Sequence, residues 1–111
     1  MKRTIAMLDF DTPLPLQREL LERDIQSSCI DWARARHAYC RKFRSPANRS
    51  APDYVITYRG VTWYVEFKKE GKKPTTLQEE EHCKIRAAGG VVWVVDSRGQ
   101  FKRLWEQKFG A

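Results

Sequence analysis

Apolar residues recur at helical spacing in the first third of the chain. The steps of three or four residues run through Leu21, Ile25, Cys29 and Trp32. A one-sided stripe of this kind predicts an amphipathic helix over about residues 17–37. The preceding residues 1–16 carry two prolines and no sustained period, so we expect an irregular N-terminal arm there.

Runs rich in β-branched and aromatic residues follow this helix. They predict strands over residues 39–44, 53–58 and 61–68. Arg59 and Gly60 separate the last two runs, which is the length and composition of a tight hairpin turn. We therefore expect the second and third strands to pair directly.

A second helix is predicted after a basic loop. Thr75 or Thr76 is its expected N-cap, and Thr76 with Glu79 has the spacing of a capping box. Gly89 and Gly90 end the pattern, so the helix is expected to reach about residue 88.

The run Val-Val-Trp-Val-Val over residues 91–95 is continuously apolar, as in a strand that is buried on both faces. Residues 100–105 are interpreted as an additional edge strand. The order helix, three strands, helix, strand predicts an α/β fold (an α+β arrangement) in which helices pack on a mixed sheet.

Composition limits the class of protein. The 111 residues allow one domain, expected over residues 17–111, and Lys plus Arg outnumber Asp plus Glu by 21 to 14, a net charge of +7. Such a balance indicates a polyanionic partner, most simply nucleic acid. Three cysteines without a C-x-x-C pair favour a reducing compartment, and neither His37 nor His82 has zinc-site spacing, so both are expected to be ordinary surface or half-buried residues. No stretch has the length of a membrane span or the pattern of a signal peptide, so a cytoplasmic protein is expected.

The hairpin predicts a pair of carboxylates. If Arg59 and Gly60 alone form the turn, Tyr58 pairs with Val61, and the same register puts Asp53 directly opposite Glu66. Residue parity separates this pair from an apolar face that is expected to face the core, consisting of Tyr54, Ile56, Tyr58, Val61, Trp63, Val65 and Phe67.

Two opposed carboxylates repel each other unless a cation lies between them. Oxygen ligands with room for water and phosphate suit Mg²⁺ or Mn²⁺, and the backbone carbonyl of Phe67 is a further candidate ligand. Lys68 is expected on the same face as Glu66, where it could orient or deprotonate a water or stabilise charge on phosphorus. The alternative is a solvated strand face on which Lys68 merely neutralises Asp53 and Glu66.

These residues resemble a known signature. Pro52-Asp53 and Glu66-Phe67-Lys68 look like the PD-(D/E)xK nuclease motif. Together with Glu22-Arg23-Asp24-Ile25-Gln26, Leu77-Gln78 and Ile85-Arg86-Ala87-Ala88-Gly89-Gly90, they resemble the virus-type replication-repair nuclease (VRR-NUC) domain over about residues 21–96. The resemblance implies an αβββαβ restriction-endonuclease-like core and Mg²⁺- or Mn²⁺-dependent hydrolysis of DNA phosphodiester bonds.

The resemblance also implies roles for individual residues. Asp53 and Glu66 would be metal ligands, Lys68 the catalytic lysine, and Glu22 an acid that acts on the metal directly or through water. Gln78 would complete the site. On the residues alone, Glu22 could instead be an acid that stabilises the first turn of a helix, and Gln78 an exposed polar residue.

Basic residues flank these positions. The stretch between Asp31 and Asp53 has no acid and six basic residues, Arg34, Arg36, Arg41, Lys42, Arg44 and Arg49, and is a candidate surface for binding the DNA backbone. The residues expected to contact the backbone are Arg41, Lys42, Arg44 and Arg49, with Lys69, Lys72 and Lys73 in the loop that follows the third predicted strand. Trp63 and Trp93 lie on apolar strands and are expected in the core.

Small, stand-alone members of the family, mostly viral or bacterial, resemble homodimeric enzymes that cut four-way (Holliday) DNA junctions, and the paired cuts suit a two-fold dimer. The resemblance therefore implies such a junction-resolving endonuclease, expected to act in the cytoplasm of a bacterial cell or viral host. A flap, fork or non-specific DNA nuclease and a non-catalytic DNA-binding module remain alternatives, and RNA cleavage is a weaker one.

Overall fold

The structure, a computed structural model, describes residues 21–110. Its elements in chain order are α1 (Glu22–Arg34), β1 (Tyr39–Lys42), β2 (Tyr54–Tyr58), β3 (Val61–Phe67), α2 (Thr76–Ala87), β4 (Val92–Val95) and α3 (Arg98–Phe109). The predicted N-terminal arm, residues 1–16, lies outside the described residues. Across residues 21–110, every helix is too short or too polar to cross a bilayer.

The predicted mixed sheet and αβββαβ order are confirmed. The strand order is β1-β2-β3-β4, in which β1, β2 and β3 are antiparallel neighbours and β4 runs parallel to β3. The parallel pair requires a crossover, which α2 supplies. The hairpin between β2 and β3 also has the predicted register from Tyr58 opposite Val61 to Tyr54 opposite Val65.

The hairpin register depends on its turn. Arg59 and Gly60 have φ values of 49° and 81°, both in the left-handed region. A two-residue turn with two positive φ angles matches the right-handed twist of paired strands. The turn therefore determines which face of each strand meets the core, and Ile56, Trp63 and Phe67 are buried there as predicted.

Helix α1 is shorter than the pattern predicts. Leu21 is extended, with φ −88° and ψ 159°, so α1 begins at Glu22; the predicted residues 17–20 lie outside the described residues. It ends at Arg34, and His37 adopts a φ of 71° in the turn that follows. Ile25, Cys29 and the neighbouring buried residues pack on the sheet, whereas Arg36 lies over the ring of Trp32 at 3.5 Å.

The predicted edge strand over residues 100–105 is wrong, because this segment belongs to α3. Phe101, Trp105 and Phe109 recur every four residues, and Ser97 caps the helix by accepting a hydrogen bond of 3.1 Å from Gln100 N–H. Their rings pack against one another and, at a centroid distance of 5.5 Å, Trp105 packs on Trp63. The periodicity is that of a helix laid on the core face of the sheet.

The capping box of α2 lies one residue earlier than predicted. Thr75, not Thr76, is the N-cap, and its partner is Gln78 rather than Glu79. The three cysteines are free thiols: Cys29 and Cys40 are buried and Cys83 is exposed.

Candidate active site

Glu66 is a buried carboxylate near the end of β3. Its side chain points away from the aromatic core, toward α2, and only 1% of the residue's surface is exposed. One oxygen, Oε2, accepts a hydrogen bond of 3.2 Å from Gln78 Nε2, and the other, Oε1, lies 3.5 Å from His82 Nε2. Oε1 is buried and has no hydrogen-bond partner within the described residues.

Asp53 lies between β1 and β3, directly before the first residue of β2. Its N–H donates to the carbonyl of Val65 over 3.1 Å, and its carbonyl accepts from Phe43 N–H over 2.8 Å. The regular ladder therefore ends at the pair of Tyr54 and Val65. The prediction that Asp53 lies directly opposite Glu66 is wrong, because Asp53 N–H bonds to Val65 instead. Pro52 precedes it and has no N–H to continue the pairing.

The Asp53 side chain completes the interrupted ladder. Its Oδ2 accepts a hydrogen bond of 2.8 Å from the backbone N–H of Phe67. The carboxylate thus lies beside the residue that separates Glu66 from Lys68. The structure brings the two predicted carboxylates together through a side chain-to-backbone bond rather than through strand pairing.

The acids of this region perturb one another. Burial, followed by the charge of Asp53, raises the pKa of Glu66 to about 8, against a smaller opposing effect of Lys68. Burial and then Asp53 also raise the pKa of Glu22, while Lys68 and Lys42 oppose that shift. Glu22, the first residue of α1, therefore shares the electrostatic environment of Asp53 and Lys68. Proximity of like charges in a poorly solvated place disfavours ionisation of both acids.

Gln78, which the sequence left as either a site residue or an exposed polar residue, both caps α2 and contacts Glu66. As the third residue of α2, its Oε1 accepts a hydrogen bond from Thr75 N–H at 2.9 Å, and its backbone N–H donates to Thr75 Oγ1 at 3.1 Å. Because the cap occupies the amide oxygen, the NH₂ group is left to donate to Glu66. The cap therefore orients the amide toward the carboxylate.

Sequence reasoning missed His82, which was expected at or near the surface. It is 1% exposed, lies one turn after Gln78 on α2, and meets Glu66. Burial is the main cause that lowers its pKa, and Arg86 adds to the effect. The spacing of four residues from Gln78 was the only signal in the sequence, since it puts both side chains on one face of a helix.

The predicted DNA-binding residues are all exposed but lie on separate surfaces. Arg44 and Arg49 line a cleft of about 500 Å³ together with Phe43, Asn48 and Asp53. Asn48 ties this wall to α2 by donating to Glu81 Oε1 over 2.9 Å.

A second depression, of about 280 Å³, lies on the other side of Glu66. Three basic residues, Lys72, Lys73 and Arg86, line it together with His82 and two acids, Glu79 and Asp96. Gly71 N–H donates to Asp96 Oδ2 over 3.2 Å, which ties the basic loop to the end of β4. Positive charge therefore flanks the acids on two sides.

Within the described residues, no three His, Cys, Asp or Glu side chains converge as a ready-made metal site. The residues present nevertheless suit a hard divalent cation. Glu66 Oε1 is a buried oxygen without a hydrogen-bond partner among the described residues, and burial, followed by the charge of Asp53, raises the pKa of both Glu22 and Glu66. Mg²⁺ commonly uses only one or two carboxylates and keeps several waters, so two close acids are a sufficient protein contribution.

Comparison with known proteins supports a nuclease. The chain is 34% identical over 82 residues to "Putative nuclease p44" of Acyrthosiphon pisum secondary endosymbiont phage 1, a match that covers 73% of this chain and 88% of that protein. A solved structure described as a VRR-NUC domain matches with a TM-score of 0.73 and 33% sequence identity, over 79% of this chain and 97% of the other. No protein-family model matches the sequence.

Proposed function

This chain belongs to the VRR-NUC family of nucleases, and on that premise we propose that it hydrolyses phosphodiester bonds of DNA at the site around Glu66, with Mg²⁺ or Mn²⁺ as cofactor. The observation that carries the proposal is the buried Glu66 carboxylate, which has Asp53 beside it and Lys68 two residues further along the chain. A non-catalytic DNA-binding module gains nothing from burying one acid next to another, because the pair costs stability.

Asp53 and Glu66 would hold the metal ion, and the Phe67 carbonyl is a third candidate ligand. The N–H of Phe67 bonds to the Asp53 side chain. Because the N–H and the carbonyl of a strand residue face the same neighbouring strand, the Phe67 carbonyl also faces the Asp53 side of β3. Glu22 would contribute directly or through water. When bound, the divalent cation supplies Lewis-acid stabilisation of the charge that develops on the phosphate.

Lys68 is the proposed catalytic lysine. Its ammonium group would donate hydrogen bonds to the attacking water and to a phosphate oxygen. As the water oxygen bonds to phosphorus, the water gives up a proton to the solvent, the bond from phosphorus to the leaving oxygen breaks, and the leaving oxygen takes up a proton from the solvent. Lys68 is partly buried, so its donors are less mobile than those of the exposed Lys69 next to it.

The DNA backbone would lie across the two basic surfaces that flank the acids. Arg44 and Arg49 in the larger cleft and Lys72 and Lys73 in the smaller one would contact phosphates on either side of the scissile bond. Arg41 and Lys42 on the exposed β1 and Lys69 in the loop would extend these contacts. Arg34 and Arg36 are less suited to DNA, since Arg34 donates to Cys40 and Arg36 stacks on Trp32.

We further propose that the active form is a homodimer that cuts four-way DNA junctions. One chain offers one cluster of Asp53, Glu66 and Lys68, whereas a junction requires two cuts related by two-fold symmetry. A second copy of the chain supplies the second site.

Cleavage of matched duplex, flap, fork and four-way junction substrates, with Mg²⁺ and with Mn²⁺, tests the proposal on protein of known oligomeric state. We expect metal-dependent cutting, preferred on junctions by a dimer and lost in Asp53→Asn. Cutting of flaps by a monomer that leaves junctions intact would overturn the junction proposal and retain the nuclease. Equal inertness of wild type and Asp53→Asn, with DNA binding intact, would overturn the nuclease as well.

A further inference from the structure

Helix α2 packs on the sheet through an unusual residue. Of its twelve residues, His82 is the buried one, while the large apolar side chain of Leu77 is 65% exposed. A helix that merely covered the sheet would bury leucine or valine at this position, since apolar side chains gain free energy on burial and an imidazole must find a partner. The buried histidine therefore calls for an explanation other than packing.

The partner of His82 is Glu66. The atoms His82 Nε2 and Glu66 Oε1 lie 3.5 Å apart, and neither has a hydrogen-bond partner elsewhere among residues 21–110. The other oxygen of the same carboxylate accepts from Gln78. Gln78 and His82 are four residues apart, so one face of α2 presents a nitrogen to each oxygen of Glu66.

We infer that His82 is a positioning residue that, together with Gln78, sets the orientation of the Glu66 carboxylate toward the metal ion. The inference deepens the proposed function and rests on it. Carboxylates and histidines that bind metals are themselves oriented by hydrogen bonds from surrounding groups, and removal of such a partner commonly weakens metal binding. The Nε2 hydrogen needed here is present both in imidazolium and in one neutral tautomer.

Mn²⁺ binding to the DNA-free protein, followed by electron paramagnetic resonance of the free ion, tests this role without any cleavage. The variants are His82→Leu, which removes the donor, and His82→Gln, whose amide nitrogen replaces Nε2. Ile56→Val, which trims the core away from α2, is the control for a loss of stability alone. We expect His82→Leu to weaken Mn²⁺ binding about 10- to 100-fold, and His82→Gln to recover most of it.

Thermal unfolding of the metal-free proteins separates positioning from packing. Replacement of one member of a buried polar pair by an apolar residue leaves the other member buried without its partner, so some loss of stability is expected from His82→Leu whatever its role. We therefore expect both His82→Leu and Ile56→Val to melt below wild type, whereas only His82→Leu loses Mn²⁺ affinity. Wild-type affinity in His82→Leu would overturn the inference.

Two further comparisons keep the outcome interpretable. If His82→Leu does not fold, His82→Gln is compared with His82→Asn, whose amide is one methylene shorter and should bind Mn²⁺ more weakly; equal affinities would overturn the inference. Asp53→Asn addresses the proposed function separately. If Asp53→Asn binds Mn²⁺ as tightly as wild type does, the metal site itself is contradicted. If Asp53→Asn weakens Mn²⁺ binding but His82→Leu does not, only the role of His82 is contradicted.

Discussion

The carboxylate of Asp53 accepts a 2.8 Å hydrogen bond from the backbone N–H of Phe67, at the point where the ladder between β2 and β3 ends. One side chain thus does two things. It satisfies a donor that strand pairing leaves without a partner, and it keeps a negative charge beside Glu66. Substitutions at Asp53 can separate these effects.

Asp53→Asn keeps an oxygen that can accept from Phe67, and Asp53→Ala does not. We expect Asp53→Asn to unfold in urea near the wild-type midpoint and Asp53→Ala to be less stable by about 1 kcal/mol. Both variants should lose metal-dependent nicking of plasmid DNA, because neither retains the charge. Retention of nicking by Asp53→Asn would contradict a ligand role for this carboxylate.

The metal-free protein should lose stability as the pH rises. The pKa of Glu66 is about 8 in the fold, above its ordinary value of 4.5, so the folded state holds the proton more tightly than the unfolded chain does. The stabilisation is complete below the ordinary value and is lost as the pH rises through about 8. In the presence of a chelator, we expect the free energy of unfolding to fall by about 1 kcal/mol between about pH 7 and pH 8.5.

Glu66→Gln is the matched control for that measurement. It removes the titrating group, so the difference between its curve and the wild-type curve isolates Glu66 from His82 and the cysteines. Addition of Mg²⁺ or Mn²⁺ at the upper pH should raise the free energy of unfolding of the wild-type protein again, since a ligand that binds the folded state stabilises it. Parallel curves for the two proteins would contradict the assignment of the pH dependence to Glu66.

Lys68 and Lys69 are neighbours with different environments, partly buried and exposed. We expect Lys68→Met to lower the cleavage rate by at least about 100-fold, while the affinity for DNA in the absence of metal changes little. Lys69→Met should do the reverse, with a weaker affinity and a nearly unchanged rate at saturating DNA. Single-turnover cleavage and equilibrium binding distinguish the two, and similar effects of both variants would exclude a special role for Lys68.

Arg44 and Arg49 line the cleft that contains Asp53. In the Asp53→Asn protein, the double substitution Arg44→Ala and Arg49→Ala should weaken DNA binding. The slope of log affinity against log salt concentration should become less steep by about 1 for each phosphate that the protein no longer neutralises. Lys108→Ala, on the exposed side of α3, removes a charge remote from the cleft and is the control. If Lys108→Ala weakened DNA binding as much as the substitutions in the cleft do, DNA affinity would depend on the net charge of the protein and not on the position of Arg44 and Arg49.

Much of the fold could be predicted because it depends on near neighbours in the chain. The two residues Arg59 and Gly60 determine the hairpin register, and residue parity then assigns Ile56 and Trp63 to the core. The strand predicted over residues 100–105 is wrong because six residues are too few to distinguish the helical period from alternation. The packing that decides between them, such as that of Trp105 on Trp63, involves a distant strand.

By itself, the sequence determined the residue types and the local geometry: a basic domain with acids at Glu22, Asp53 and Glu66, a lysine at 68 and a tight turn that brings β2 and β3 together. Only the tertiary structure decided that Asp53 reaches Phe67 through its side chain and that His82 lies buried against Glu66. The reason is physical. A turn is set by the φ and ψ angles of adjacent residues, whereas burial of His82 depends on where the crossover helix α2 lies on the sheet, and that position is determined by the packing of the whole domain.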